Sequence, residues 1–438
     1  MPMIIPNELN YTPQGAIPNG TQTLDINVAP QASSYSLASG GIIHFDLPSR
    51  DGFIVSDTMN IRYKYIITNT AESKMRCTPV YAPFQKLETV LGGTLAEIIP
   101  DYNVVMNTLV NSSQNVAVKY GNCANYGWRT DNDQVANLET QDGRHCEISE
   151  FGSFSAPIPN IISSCSKFYP IGATGSGTRI SLTLDTLSNV FCPAAGAIVA
   201  DQANYVLAAA GTTVPTDMTL TDIVLSYTMV MTPPEVTNEI LGKGPITLKS
   251  QSFTSSANNI PLGTAGSVDL IYSHKLASLK SIFMLCSSSV GVNGKYDAYD
   301  ILGTSGDIQF GIAGRMVPAR PLSTAPGSKT MLMSSLRAAM GSIYDKNNSF
   351  SINAGEFFKT LAQGSTLVSP AKCYIACNTE LIPSNQFMLS GTSTQESSIT
   401  CRMNITTATT ASVSAMLISA FDVIIEIDPA TKTVVVRK

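Results

Sequence analysis

A chain of 438 residues with 44% apolar side chains is long enough to bury two sizeable cores and too hydrophobic for intrinsic disorder. Charged residues make up only 13%, about half the usual share of a soluble globular protein, and the net charge of −5 gives the bulk of the chain no hold on nucleic acid. The start, Met1-Pro2-Met3-Ile4-Ile5, lacks the basic region and apolar run of a secretory signal, and no 18-residue uncharged apolar stretch occurs, so a soluble chain in a cytosol-like compartment is expected.

Residues 1–40 hold only Glu8 and Asp25 as charges among many Pro, Asn, Gln, Gly, Ser and Thr, which predicts an N-terminal arm. Having no Lys or Arg, this arm is unsuited to neutralising phosphates. From Gly41 the period changes to two. Ile43, Phe45 and Leu47 alternate with polar neighbours, as do Ile61, Tyr63, Tyr65 and Ile67, and both segments read as half-buried strands. Leu87–Leu91 and Thr94–Ile99 flank Gly92-Gly93, a pair that accepts the positive φ angles of a two-residue hairpin turn. Asp101 is placed to cap a short helix with Val104, Val105 and Leu109 on one face. Polar loops with short strands are expected over 112–177, and strands again at 179–185 and 221–231.

The second half reopens at Lys249–Phe253 and Val268–Tyr272. Its strongest helix follows Ser328, where Leu332, Leu336, Ala339, Met340 and Ile343 recur at helical spacing with Arg337 turned outward. The ends of the two halves echo each other. Ile223, Leu225, Tyr227 and Met229 follow Asp222 on alternate positions, and Val423, Ile425 and Ile427 follow Asp422 in the same way. Arg179–Leu184 has a similar counterpart in Ser398–Ile405. These matches predict a duplicated β-sandwich: a first domain over 41–241, a Gly/Pro linker over 242–248, and a second domain over 249–438 with a C-terminal tail.

No constellation for catalysis, a cofactor or a metal emerges. His44, His145 and His274 form no HxH or HExxH pattern, and neither a GxSxG elbow nor a phosphate-binding GxxxxGK[ST] loop is present, Gly294-Lys295 being followed by Tyr296. The nine cysteines lack CxxC spacing and read as reduced core thiols. Cys373 and Cys377 would lie about 13 Å apart along one strand, beyond the roughly 7 Å a disulfide permits. Glu426 and Asp428 stand two apart, as paired carboxylates of β-sandwich glycosidases do, yet Pro429-Ala430-Thr431 follows where a third carboxylate would complete that pattern. Together with Asp422 and Ile424 they read as one solvated or subunit-facing strand surface. Asn10, Asn19 and Asn404 open Asn-x-Ser/Thr triplets that matter only in a secreted chain.

Several segments resemble the double jelly-roll major capsid proteins of tailless icosahedral viruses. They are Asp51–Val55 leading to Met59–Ile66, then Tyr81–Glu88, Asp101–Asn107, Arg320–Leu322, Leu336–Asp345 and Ser351–Phe357. The resemblance implies an all-β chain of two consecutive eight-stranded jelly rolls with a few short helices in loops. It implies a homotrimer whose six rolls give a pseudo-hexagonal capsomer, a virion component made in the host cytoplasm, with neighbouring capsomers and penton or minor capsid proteins as partners and an internal membrane as a further contact. Outer loops would come from 112–177 and 193–220. Lys432, Arg437 and Lys438 make a weakly basic tail suited to an anionic membrane or genome, and with Glu426 and Asp428 they are the candidate interface residues. Two other classes fit an all-β chain: a carbohydrate-binding or adhesive spike or fibre module, for which Trp128 is the sole tryptophan available for stacking, and a jelly-roll glycosidase using Glu426 and Asp428.

Overall fold

A computed structural model describes residues 18–68, 73–75, 77–113, 123–126, 153–175, 177–193, 215–288, 306–325, 328–343, 374–381, 389–409 and 412–438. Trp128, His145, Gly294, Lys295, Cys373, Asn10, residues 351–357 and most of the two expected outer loops lie outside them.

Sixteen principal strands carry the fold. The first eight are β1 (Gln22–Val28), β2 (Ile42–Asp46), β3 (Asn60–Thr68), β4 (Phe84–Leu91), β5 (Thr94–Ile99), β6 (Ser153–Pro157), β7 (Arg179–Leu184) and β8 (Asp217–Met231). The next eight are β9 (Ile246–Ile260), β10 (Gly266–Tyr272), β11 (Leu279–Ser288), β12 (Asp307–Ile312), β13 (Arg315–Ser323), β14 (Ile375–Asn378), β15 (Ile399–Ile405) and β16 (Val413–Asp428). A last strand, β17 (Thr433–Arg437), pairs with the end of β16.

The sheet orders repeat. In the first half one sheet runs β1-β8-β3-β6 and the other β2-β7-β4-β5; in the second half they run β9-β16-β11-β14 and β10-β15-β12-β13. Adding eight to every strand of the first roll yields the second. Every pairing is antiparallel, and in each half the principal strands form the two four-stranded sheets of a jelly roll, the buried side chains of both halves belonging to one continuous hydrophobic cluster. The two segments that echo each other in sequence are β8 with β16 and β7 with β15, equivalent strands of the two rolls.

Local sequence explains the elements. On β3 the residues Ile61, Tyr63, Tyr65 and Ile67 are buried while Arg62, Lys64 and Ile66 face out. Tyr63 meets Phe84 and Phe154 edge to face at 5.6 and 5.4 Å, which joins the two sheets across the first core. Gly92 (φ +54°) and Gly93 (φ +82°) close the β4–β5 hairpin in the left-handed conformation that the turn requires. A Cβ on Gly92 would stand 2.7 Å from the Thr174 carbonyl oxygen. The helix α3 (Lys329–Ile343) buries Leu332, Leu336, Ala339 and Met340, half-buries Ile343 and leaves Arg337 exposed, as its spacing predicts.

Four features depart from the sequence reading. First, Gln22–Val28 and Ser34–Ser36, inside the stretch read as an arm, pair with β8, because Leu24, Ile26 and Val28 alternate and half-bury one face. Second, the expected one-sided helix, α1 (Tyr102–Ser113), is buried nearly all round. Its buried amides find partners: Asn103 Nδ2 donates to Asp185 Oδ2 (2.9 Å), and Asn107 Oδ1 accepts from the Thr78 amide and hydroxyl (3.1 Å each). Third, the Asp101 carboxylate accepts from Ser255 (3.2 Å), and the backbone carbonyl of Asp101 receives the first helical amides. Fourth, the 242–248 joint begins as Gly242 ends helix α2 (Pro234–Leu241) and already contains the start of β9 at Ile246.

Candidate functional site

The residues singled out near the chain end are assembled by the β16–β17 hairpin. Asp428 Oδ1 accepts the Ala430 amide (3.0 Å) and Oδ2 the Thr431 hydroxyl (2.8 Å), which shapes the turn and holds its carboxyl below the usual range. Lys432, at φ +55°, completes that turn against Gly92 and Gly175 of the first roll. Across the hairpin Arg437 Nη2 donates to Glu426 Oε2 (3.0 Å). Thr433–Arg437 is therefore a paired strand, with Lys432 in the turn before it and Lys438 just beyond it. Glu426 is ion-paired and Asp428 is a turn acceptor, so the two carboxylates have separate structural employment.

Asp422 departs from the expected surface. It is fully buried, with Oδ2 accepting from Ser278 Oγ (2.8 Å), the Ser390 amide (3.0 Å) and Ser390 Oγ (3.2 Å). Its Oδ1 faces Lys249 Nζ at 3.5 Å and Lys280 Nζ at 3.8 Å, and Lys280 also reaches Glu380 at 3.6 Å. Two lysines against two carboxylates make an internally neutral cluster inside the second roll, the arrangement a buried charge needs to survive. Ile424, Glu426 and Asp428 on the same strand remain half-buried, and Val423, Ile425 and Ile427 opposite them are buried.

The histidines split between the rolls. His44 on β2 is half-buried and bonds Ser181 Oγ through Nδ1 (2.9 Å). His274 is buried between Ser256 Oγ at Nε2 and Ser419 Oγ at Nδ1, 2.7 Å each, and burial pushes its pKa down to about 4. Cys77, Cys165, Cys286, Cys377 and Cys401 are buried, and burial pushes the Cys165 and Cys377 thiols up to about 12. Among the described residues no cluster of His, Cys, Asp and Glu is arranged to hold a metal, and no helix is long and apolar enough to cross a membrane.

A row of serines on β9 builds the joint between the rolls, a feature sequence reasoning missed. Ser250 Oγ donates to the Ile161 carbonyl (2.5 Å), Ser252 Oγ to Glu97 Oε1 (2.5 Å), and Ser255 Oγ to the Pro100 carbonyl (2.8 Å) and Asp101 Oδ2. The Ser166 amide adds a bond to the Lys249 carbonyl (2.8 Å). The alternation Ser250, Ser252 in Lys249–Phe253 was the available signal: hydroxyls on the buried face of a strand need acceptors from another element.

The outer faces also match between rolls. Arg179 on β7 pairs with Asp46 on β2, Nε to Oδ1 at 2.5 Å, and Arg402 on β15 pairs with Asp269 on β10 at 2.9 Å. Equivalent strand pairs thus present similar ion pairs to solvent.

No known family model and no curated protein matches the chain. Solved structures do. The Faustovirus major capsid protein superposes with a TM-score of 0.60 at 9% identity, covering 98% of this chain and 93% of that one. The PBCV-1 virus capsid gives 0.58 at 11% identity over 98% and 99%, and the mavirus major capsid protein 0.51 at 10% over 99% and 93%. At such identities the likeness is one of fold, and it runs from end to end through both repeated halves: this chain has the double jelly-roll fold of those viral capsid proteins.

Proposed function

We propose that the chain is the major capsid protein of an icosahedral virus, a building subunit without catalytic activity. The observation that carries this reading is the strand-for-strand repetition of one jelly roll by the other within a single chain. Two similar bodies per subunit, taken three times, approximate sixfold symmetry and let one protein tile a flat hexagonal layer. The likeness in fold to viral capsid proteins over nearly the whole chain supports the same reading.

In this role the protein acts through its surfaces. Three copies form a pseudo-hexagonal capsomer, neighbouring capsomers and penton or minor capsid proteins complete the shell, and the mature location is the virion after synthesis in the host cytoplasm. Glu426, Asp428, Lys432, Arg437 and Lys438 belong to an edge hairpin beside the first roll and are proposed as contacts between subunits or with an internal membrane. The net charge of −5 gives genome binding no general electrostatic support. Light scattering on the purified chain tests the proposal. Three chains of 46.6 kDa, followed by shells or flat hexagonal sheets at higher concentration, are expected. A monomer at every concentration would sink it, and saturable binding on a glycan array would favour the adhesive alternative.

A further inference from the structure

Glu97 is the most deeply placed carboxyl at the joint, 1% exposed, and no basic side chain among the described residues forms an ion pair with it. Its Oε2 accepts from Thr89 Oγ1 and from the Ile161 amide, 2.9 Å each, and its Oε1 meets Ser252 Oγ of the second roll. We propose that Glu97 is a proton-loaded latch between the two rolls, tightest while the buried carboxyl holds its proton and loosened as rising pH draws that proton away.

Every group facing the carboxyl fits a neutral acid. From β4 comes the Thr89 hydroxyl; from the 158–165 segment come the Ile161 amide and the Cys165 thiol; from β9 come the Ser250 and Ser252 hydroxyls. Among the described residues, the cation whose field reaches Glu97 is Lys438. Burial outweighs that field and the hydrogen bonds and holds the Glu97 carboxyl above the usual range. With the proton on Oε1, the contact to Ser252 serves with either oxygen donating, and Oε2 remains an acceptor for Thr89 and Ile161. Nearby at the same joint, Asp101 is also raised, by burial first and then by the charge of Asp185, against its bond from Ser255. The folded chain therefore holds the Glu97 proton more tightly than the unfolded chain does. This contribution is fully present below the unfolded carboxyl's ordinary pKa and is lost as pH rises from there through the folded pKa, by up to tenfold in the unfolding constant per pH unit, with no further loss above it.

Urea unfolding of the full chain from pH 4 to 9, for wild type and Glu97→Gln, tests this. Glutamine mimics the neutral acid, its Nε2 donating to Ser252 and its Oε1 accepting from Thr89 and Ile161. The ratio of unfolding constants, wild type over E97Q, is expected to climb as pH rises above the ordinary carboxyl range, and infrared spectra to show a protonated-carboxyl band, lost in E97Q, that persists above that range. A ratio flat from pH 4 upward, or a carboxyl that ionises at its ordinary pKa, would overturn the latch. Should E97Q not fold, Ser252→Ala decides: removing a hydroxyl that favours the ionised form extends the upper end of the pH-dependent loosening to higher pH, and an unmoved upper end counts against the proposal.

Discussion

Asp222 and Asp422 occupy equivalent strands of the two rolls and are followed by the same apolar alternation, yet they live in opposite surroundings. Asp222 sits in a bulge of β8 between Thr221 and Val224, at φ +50°, and its carboxylate lies 2.8 Å from Lys64 with both side chains more than half exposed. Asp422 lies in regular pairing on β16, and the irregularity falls on the neighbouring strand, where Lys280 is the extra residue between Leu279 and Ser281. Moving the bulge from one strand of the pair to its partner thus leaves one aspartate turned out to water and brings a lysine inward to the other. The repeat in the fold tolerates this, since the bulge alters which side chain points inward while leaving the strand order intact.

The largest expected effect follows from that contrast. Replacing Asp422 with Ala leaves Lys249 and Lys280 without their shared carboxylate and should cost about 3–5 kcal/mol in guanidinium unfolding. Asp222→Ala should leave the unfolding midpoint unchanged, because its ion pair is solvated. Equal losses at the two sites would break the comparison.

The histidines extend it. With its folded pKa near 4, His274 resists a proton that the unfolded chain takes up from about pH 6.5. Stability should therefore fall between about pH 6.5 and 4 by about 3 kcal/mol, with no further loss from this group below that range. His274→Gln should flatten this slope in pH-dependent unfolding, and His44→Gln in the first roll should leave it in place.

The equivalent hairpin turns offer a smaller test. The first turn opens with Gly92, crowded by Thr174, while its counterpart in the second roll opens with Ala313 at φ +49°. Gly92→Ala should cost about 1–3 kcal/mol, and Ala313→Gly should stabilise by about 0.5–1 kcal/mol, both read from urea midpoints. Smallest of all, Asp222→Gly should raise the midpoint slightly by relieving a positive φ.

Much of the architecture was legible in sequence wherever one strand face meets a core and the other meets water. β2, β3, the Gly92-Gly93 hairpin and the correspondence of β8 with β16 follow from period-two alternation and turn chemistry. β1 was hidden because Leu24, Ile26 and Val28 are only half-buried in a polar stretch, so their alternation is faint. The burial of Asp422 was hidden because alternation assigns it to the polar face. The run from Ala415 to Phe421, buried on both faces, was the signal that this part of β16 is covered on each side. The joint was least legible, since the alternation of Ser250 and Ser252 marks a strand face without showing which distant segment supplies the acceptors.

Electron microscopy of the purified protein, averaged in end view, tests the central claim most directly. Because each chain carries two jelly rolls of matching strand order, the account predicts a six-lobed, pseudo-hexagonal outline from three chains. Three-lobed particles with no such outline, or single chains alone, would contradict it.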